Sequence, residues 1–238
     1  MGGREVEGGV EVYLASSSLS LLSGHCDVFP RCPPSSTALC VGQVTKVIRF
    51  PARLLPSLMK KLPQLQVIYL VRDPRGTLIS ERYKLNSYKT LKIEAAARSF
   101  CSMVSEDLRH IRFLSREHPH RVKALRYETL SMDPLRTTER LYKFLGLRFT
   151  PAVRDHVRNI TAARGKATSR LVLSTVRDDS WAAANRWRTS VAFRSVLSVD
   201  RECRAVYEEL GFDEVRSERH LRDINVSLAA RDSSMPYL

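Results

Sequence analysis

The chain has 238 residues, 43% hydrophobic and 27% charged, so it can bury a sizeable core and is most simply interpreted as one domain. Its 39 lysines and arginines outnumber 25 aspartates and glutamates, giving a formal net charge of +14 that favours anionic partners such as nucleotides and acidic glycans. The basic residues are spread along the chain without a long run or a nucleic-acid-binding motif, so no nucleic-acid partner is expected. A merely solvated basic surface explains the charge equally well.

The five cysteines match neither a CxxC pair nor a Cys/His zinc spacing, so no metal site is expected. In an oxidising compartment up to two disulfides could form, with one thiol left over, whereas a reducing compartment would keep all five reduced. Sequons for N-glycosylation begin at Asn159 and Asn225 and matter only on the secretory route. No stretch reaches the roughly 18 apolar residues that span a bilayer. The segment 12–22 lacks the charged start and cleavage site of a secretory signal.

Residues 1–40 are rich in Gly, Ser and Pro and show no sustained periodicity, which predicts a weakly structured segment. From residue 41 onward, apolar runs typical of strands alternate with helical patterns. Strands are predicted at 41–48, 67–71 and 122–127, and helices at 54–62, from 74, at 93–117, 133–146, from 151, at 181–187 and at 198–210. This alternation predicts an α/β fold with a parallel sheet flanked by helices, in a domain at 41–215 followed by a tail at 216–238.

The segment 67–80, VIYLVRDPRGTLIS, contains the most informative pattern. A continuous apolar run, expected of a buried parallel strand, passes directly into Arg72 and then Asp73-Pro74, which predicts a new helix. Ligands bind beyond the carboxyl ends of parallel strands, where the guanidinium of Arg72, the hydroxyl of Ser80 and free helix N–H groups suit a phosphate. The alternative is a strand-to-helix turn with an aspartate cap and no ligand.

This segment resembles the 3′-phosphate-binding segment of sulfotransferases that use 3′-phosphoadenosine-5′-phosphosulfate (PAPS). In that family an arginine at a strand end and a serine eight positions later hold the 3′-phosphate, the spacing of Arg72 and Ser80. The longer string VIYLVRDPRGTLISERY is especially similar to the Golgi carbohydrate 6-O-sulfotransferases. The resemblance implies a P-loop NTPase-like sulfotransferase fold that is incomplete at its N-terminal end.

One segment upstream and one segment downstream resemble the same family, in the same order along the chain. VTKVIRFP looks like a strand end that faces the sulfuryl donor, which implies that Lys46 and Arg49 stabilise charge in the transition state. LRYETLSMDP is similar to the segment whose tyrosine lies near the adenine, which implies that Tyr127 stacks on the base. The alternatives are ordinary exposed cations for the first pair and a core aromatic for Tyr127. Glu128 is interpreted as the partner of a neighbouring arginine rather than as a catalytic base.

A further segment, from Leu173 to Arg188, resembles the loop that closes over the nucleotide and its Trp-Arg pair. The resemblance implies that Arg177 and Arg188 bind the nucleotide and that Trp187 stacks on a ligand. A closing loop would exclude water from a site where transfer to water competes with transfer to sugar. A tryptophan at helical spacing is also typical of a packed core.

One element of the family pattern has no counterpart in residues 1–40. The family binds the 5′-phosphosulfate with a Gly- and Ser-rich turn between the first strand and first helix, whereas residues 1–40 contain only isolated serine clusters. The resemblance therefore leaves two expectations open. One is that the chain transfers a sulfuryl group from PAPS to a sugar hydroxyl. The other is that it is an inactive fragment that binds nucleotide or acidic glycan.

The resemblance implies an acceptor in a glycan or proteoglycan such as keratan or chondroitin sulfate, with the 6-hydroxyl of galactose, N-acetylglucosamine or N-acetylgalactosamine sulfated. It implies no metal and a Golgi location, reached through a membrane anchor that this sequence does not show. A carboxylate or histidine would act as the general base. The histidines at positions 110, 118 and 120 are interpreted as surface residues.

Overall fold

A four-stranded sheet forms the centre of the molecule. The computed structural model describes residues 11–16, 43–48, 50–80, 90–162, 177–229 and 237–238. The strands are β1 (Glu11–Ser16), β2 (Gln43–Ile48), β3 (Gln66–Val71) and β4 (Val122–Arg126), in the spatial order β2-β1-β3-β4. β3 and β4 pair in parallel, with Val71 opposite Arg126, whereas β1 pairs antiparallel with both β2 and β3. Three strands therefore run in one direction and β1 runs between them in the other.

The helices lie mainly in the connections between and after the strands. A 3-10 turn at Ala52–Leu54 precedes the first of them. The helices are α1 (Leu55–Lys61), α2 (Pro74–Ser80), α3 (Ile93–Glu117), α4 (Tyr127–Met132), α5 (Pro134–Phe144), α6 (Pro151–Thr161), α7 (Ser180–Asn185), α8 (Trp187–Ser190), α9 (Phe193–Leu210) and α10 (Glu218–Arg222). No helix in these described ranges combines the length and apolar character that crossing a bilayer requires.

The main core lies where α3 and α9 pack against each other and against the sheet. α3 is amphipathic, and its buried stripe includes Phe100, Val104, Leu108 and Ile111. Cys101 of this stripe forms a disulfide with Cys203 of α9, with 5.3 Å between the two Cα atoms. The disulfide joins positions 102 residues apart and fixes the two longest helices to each other.

The predicted parallel α/β arrangement is confirmed at the β3–α2–α3–β4 unit, where a helical connection joins two parallel strands. The antiparallel strand β1 is a difference, because it lies within the residues expected to be weakly structured. Its sequence, EVYLAS, is a short apolar run between Glu11 and Ser16, and pairing with β2 on one side and β3 on the other stabilises it. α4 is also new, since Tyr127 begins a helix instead of ending a strand.

The segment predicted as a C-terminal tail packs on the rest of the fold where the structure describes it. Leu221 of α10 is fully buried and Leu228 nearly so. Tyr237 forms a parallel bridge with Ala124 of β4, and its hydroxyl donates to the carbonyl of Leu210. The C-terminal residues thus cover the outer edge of β4.

Candidate functional site

The carboxyl ends of β3 and β4 bring two of the predicted ligand-binding residues to the same edge of the sheet. Arg72 follows β3 and Tyr127 follows β4 directly, and the register places Val71 opposite Arg126. Because the two strands are parallel and adjacent, the residues just beyond them are neighbours. This edge is where ligands bind in open α/β sheets.

Arg72 and Ser80 lie together at this edge. The Arg72 Nη1 group donates to Ser80 Oγ at 3.4 Å, and Nη2 donates to the carbonyl of Ala184 at 3.2 Å. The Arg72 guanidinium lies 5.0 Å from the ring centroid of Tyr127, a cation–π distance. All three side chains are partly exposed. The arrangement presents a cation, a hydroxyl and an aromatic ring at the surface, the groups that an anionic nucleotide requires.

The start of α2 differs from the expected anion site. Asp73 Oδ1 accepts the backbone N–H of Arg75 at 2.9 Å, so a carboxylate of the chain itself occupies the helix N-terminus. The expectation that free helix N–H groups bind a phosphate is therefore wrong for this N–H. Here the alternative of an aspartate cap holds, while Arg72 and Ser80 converge beside it.

Arg75 forms a buried ionic network beneath the edge. Its side chain is fully buried and pairs with Asp73 at 2.9 Å and with Asp200 of α9 at 3.3 Å. Burial alone would lower the pKa of Arg75, but Asp73, Tyr207 and Asp200 hold it above its ordinary value. Tyr207 donates to Asp200 at 2.9 Å, and its ring lies 4.7 Å from the Arg75 guanidinium. The network fixes the turn of α2 to α9.

Glu128 is a second buried charged residue at this edge. Its Oε1 accepts the backbone N–H of Asp73 at 3.1 Å, while Oε2 is buried without a hydrogen-bond partner among the described residues. Burial and the neighbouring Asp73 raise the pKa of Glu128 to about 7, against the opposing effect of Arg72. The carboxyl therefore ties the end of β4 to the turn after β3.

Trp187 is 6% exposed and packs against α2, so it does not stack on a ligand as expected. A Cβ atom added to Gly76 would lie 2.9 Å from the indole Cδ1 and Nε1 of Trp187. Gly76 is thus required for the close approach of the ring to the helix. The packing alternative accounts for Trp187, because a tryptophan in such a gap contributes buried area rather than a binding face.

Arg188 is fully buried, and its guanidinium donors are all used within the protein. Nε donates to Leu221, Nη1 to Asn185 and Val226, and Nη2 to His220 and Asp223, mostly to backbone carbonyls. The predicted nucleotide role of Arg188 is therefore wrong in this structure. Arg188 instead holds α10 and the following turn against α8.

The structure gives only part of the surroundings of the three other predicted residues. Lys46 is exposed within β2 and opposite Tyr13, which pairs in turn with Ile68, so Lys46 lies several residues short of the edge that carries Arg72. Arg49 lies outside the described residues. The Arg177 backbone N–H donates to the carbonyl of Ile160, which fixes the start of the segment that leads into α7. The roles of these three residues stay predictions.

A small cavity lies beside the site, between α4, the start of α7 and residues 227–229. It has a volume of about 240 Å³, and Glu128, Arg126 and Trp181 are among its lining residues. Within the part of the chain that the structure describes, no three His, Cys, Asp or Glu side chains converge as a metal site requires.

The Arg75 network was not predicted from the sequence. Asp73 and Arg75 are two residues apart, and a buried apolar strand precedes them, which is a signal that a local ion pair could be buried. Asp200 lies 125 residues beyond Arg75 on a different helix. Only the three-dimensional packing of α9 could identify it as the second partner.

Comparison with known proteins matches residues 44–193 to the family described as "Sulfotransferase domain". Carbohydrate sulfotransferase 5 of Mus musculus is 30% identical over 193 residues, covering 74% of this chain and 48% of that protein. Carbohydrate sulfotransferase 4 of Mus musculus is 30% identical over 203 residues, covering 78% and 52%. Carbohydrate sulfotransferase 1 of Danio rerio is 29% identical over 191 residues, covering 73% and 44%.

The chain thus spans about half the length of the curated relatives that it matches. The match to the family model is longer than half of the chain and includes β2 from Val44, β3, β4 and every residue of the site described above up to α8. This chain therefore belongs to the sulfotransferase domain family, and its relatives in that family are carbohydrate sulfotransferases.

Proposed function

We propose that the chain binds the 3′-phosphate of PAPS through Arg72 and Ser80 and takes part in sulfuryl transfer to a sugar hydroxyl. The observation that carries the proposal is the convergence of these two side chains, 3.4 Å apart, at the carboxyl edge of a parallel strand pair. A guanidinium offers a planar set of donors that suits phosphate oxygens, and the serine hydroxyl adds a donor. Tyr127, next to Arg72, supplies an aromatic surface for the adenine.

The transfer would proceed in line. An oxygen of the acceptor hydroxyl forms a bond to sulfur, the bond from sulfur to the bridging phosphate oxygen breaks, and adenosine 3′,5′-bisphosphate (PAP) leaves with that electron pair. The hydroxyl proton passes to a general base. Lys46 and Arg49 are the proposed cations for the charge that develops on the bridging oxygen. The acceptor class we propose is a galactose or hexosamine 6-hydroxyl in a glycan or proteoglycan.

A second candidate function, nucleotide binding without transfer, is favoured by the direction of β1. Ala15 and Ser16, at the carboxyl end of β1, pair with the amino ends of β3 and β2 respectively. A turn that directly follows β1 therefore begins at the edge opposite to Arg72. The family's 5′-phosphosulfate turn follows a strand at the carboxyl edge, so β1 does not present one there.

We also propose that the protein is located on the secretory route, and specifically in the Golgi. The disulfide between Cys101 and Cys203 supports it, because disulfides persist in oxidising compartments and are rare in the cytosol. Cys26, Cys32 and Cys40 lie outside the described residues.

Isothermal titration with PAP tests the nucleotide half of the proposal. We expect wild-type protein to bind PAP and Arg72→Ala to weaken binding by about 10- to 100-fold, because a hydrogen bond to a charged group contributes about 1.5–3 kcal/mol. Arg98→Ala is the matched control, since Arg98 is 72% exposed on α3 and its loss removes the same charge. Equal PAP affinity in wild type and Arg72→Ala would contradict the proposal.

A transfer assay then separates the two candidate functions. Radiolabelled PAPS is incubated with the protein and with acceptors that end in galactose or N-acetylglucosamine. Label on the acceptor, lost in Arg72→Ala and retained in Arg98→Ala, supports transfer. PAP binding without label on any acceptor supports the binding function instead.

A further inference from the structure

Glu128 occupies an unusual position for a carboxyl group. It lies in the first turn of α4, is 8% exposed, and spans from the end of β4 to the turn after β3 through its bond to the Asp73 N–H. That turn carries Arg72. One oxygen of Glu128 therefore has a structural partner, while Oε2 has none among the described residues. A buried ionised carboxylate with an unsatisfied oxygen is costly, and a protonated one less so.

The charged groups that face Glu128 come from three elements. Arg72 at the end of β3 favours its ionised form, and Asp73 at the start of α2 disfavours it. Arg126 at the end of β4 lines the same cavity as Glu128. The Nε of Arg72 is also buried and lacks a partner among the described residues. The ionised form of Glu128 therefore depends on the positive charge of the arginine proposed to bind phosphate.

We propose that Glu128 is a positioning residue for the anion site, which fixes the turn carrying Arg72 and takes up a proton when Arg72 binds an anion. The inference rests on the proposed phosphate role of Arg72. An anion at Arg72 cancels the charge that favours the Glu128 carboxylate, and Asp73 then remains as its negative neighbour. The proton comes from solvent and is held at the carboxyl, so no bond of the ligand changes.

The protonation state of Glu128 can respond to such a change near neutral pH. Burial has already raised its pKa to about 7. A modest weakening of the electrostatic attraction to Arg72 is therefore enough to protonate the carboxylate. Binding above this pH then includes proton uptake, and the apparent affinity falls by up to about tenfold for each pH unit. Below it, Glu128 is already protonated and contributes no such dependence.

Titration of PAP from about pH 6 to about pH 9, in two buffers of different ionisation enthalpy, measures affinity and proton uptake together. Wild-type protein is compared with Glu128→Gln, which keeps an oxygen for the Asp73 N–H but cannot take up the proton. We expect Glu128→Gln to lose the uptake of up to one proton and to hold its affinity above neutral pH. Titration of the PAP phosphates is common to both proteins and cancels in the comparison.

Glu128→Ala tests the positioning role, because it removes the acceptor for the Asp73 N–H as well. We expect it to weaken PAP binding about tenfold below about pH 7, where Glu128 of the wild type is already protonated, and Glu128→Gln should restore the affinity there. Should Glu128→Ala not fold, the Glu128→Gln comparison still decides the proton role.

The outcomes separate the inference from the proposed function. Identical pH profiles and proton uptake in wild type and Glu128→Gln overturn the proton role, and wild-type affinity in Glu128→Ala below about pH 7 overturns the positioning role. If either occurs while Arg72→Ala still weakens binding, the proposed phosphate site stands alone. Absence of PAP binding in wild type, or its insensitivity to Arg72→Ala, overturns both.

Discussion

Arg75 is a fully buried cation of the candidate site, and two carboxylates on different elements neutralise it. Because Asp73 caps α2 and Asp200 belongs to α9, the guanidinium holds these two helices together beneath the edge that carries Arg72. Asp200 also accepts the backbone N–H of Val215, so the network extends to the segment after α9. The residues at the surface of the site depend on this interior contact for their position.

Replacement of Arg75 by methionine should destabilise the protein by about 3–5 kcal/mol, because it leaves two buried carboxylates without a cation. Urea unfolding monitored by circular dichroism measures the loss. Arg98→Met, at an exposed ion pair with Glu202, should change the free energy of unfolding by less than about 1 kcal/mol. An Arg75→Met protein as stable as Arg98→Met would show that the network contributes little.

Glu128 should make the stability of the protein depend on pH. Its pKa is raised from 4.5 to about 7 on folding, so the folded state binds its proton more tightly than the unfolded state. The resulting stabilisation is complete below about pH 4.5 and is lost as the pH rises through 7, by on the order of 3 kcal/mol.

Unfolding free energies of wild type and Glu128→Gln, measured by urea denaturation across this pH range, isolate the contribution. The wild-type value should fall relative to that of Glu128→Gln as the pH rises. A constant difference between the two proteins at all pH values would show that Glu128 titrates as it does in the unfolded chain.

The proximity of two side chains was predictable where they are close in sequence. Arg72 and Ser80 share a strand end and the helix that follows it, so a spacing of eight predicted their proximity. Arg188 and Trp187 were assigned to the nucleotide, but their contacts lie elsewhere. The carbonyls that Arg188 binds are mostly 32–38 residues further along the chain, and the sequence does not reveal that they surround a buried guanidinium.

At the scale of elements, hydrophobic periodicity predicted α3 at residues 93–117, the bounds that the structure shows. The apolar period repeats over many turns, which distinguishes it from chance spacing, and Pro119 follows the end of the helix. α4 was not predicted, because a single six-residue helix directly after a strand has no cap or periodicity of its own. β1 was missed for a similar reason, since its pairing partners and not its composition stabilise it.

The disulfide between α3 and α9 should account for a large share of the stability of the fold. It closes a loop of about 100 residues, for which the chain-entropy estimate is about 4–5 kcal/mol. We expect a Cys101→Ala, Cys203→Ala protein to unfold at lower urea concentration, and reductant to lower the stability of wild type by a similar amount.

Reductant added to the double alanine variant serves as the control, because any remaining effect comes from other cysteines. If the double variant is as stable as wild type, packing of α3 on α9 alone fixes the two helices, and the disulfide does not contribute.

For the molecule as a whole, the sequence predicted an α/β domain and the family, and residues 44–193 confirm the family. The direction of β1 was beyond prediction, because strand direction follows from pairing between segments and not from the pattern of one segment. The net charge of +14 indicates that binding of any polyanion will weaken with salt. Specific nucleotide binding must therefore be separated from general attraction to the basic surface.

Two nucleotides that differ by one phosphate test the proposed 3′-phosphate site directly. PAP and adenosine 5′-monophosphate are titrated at the same salt concentration into wild type, Arg72→Ala and Arg98→Ala. If Arg72 and Ser80 hold the 3′-phosphate, wild type and Arg98→Ala prefer PAP by at least about tenfold, and Arg72→Ala loses that preference. An undiminished preference for PAP in Arg72→Ala would show that Arg72 does not hold the 3′-phosphate.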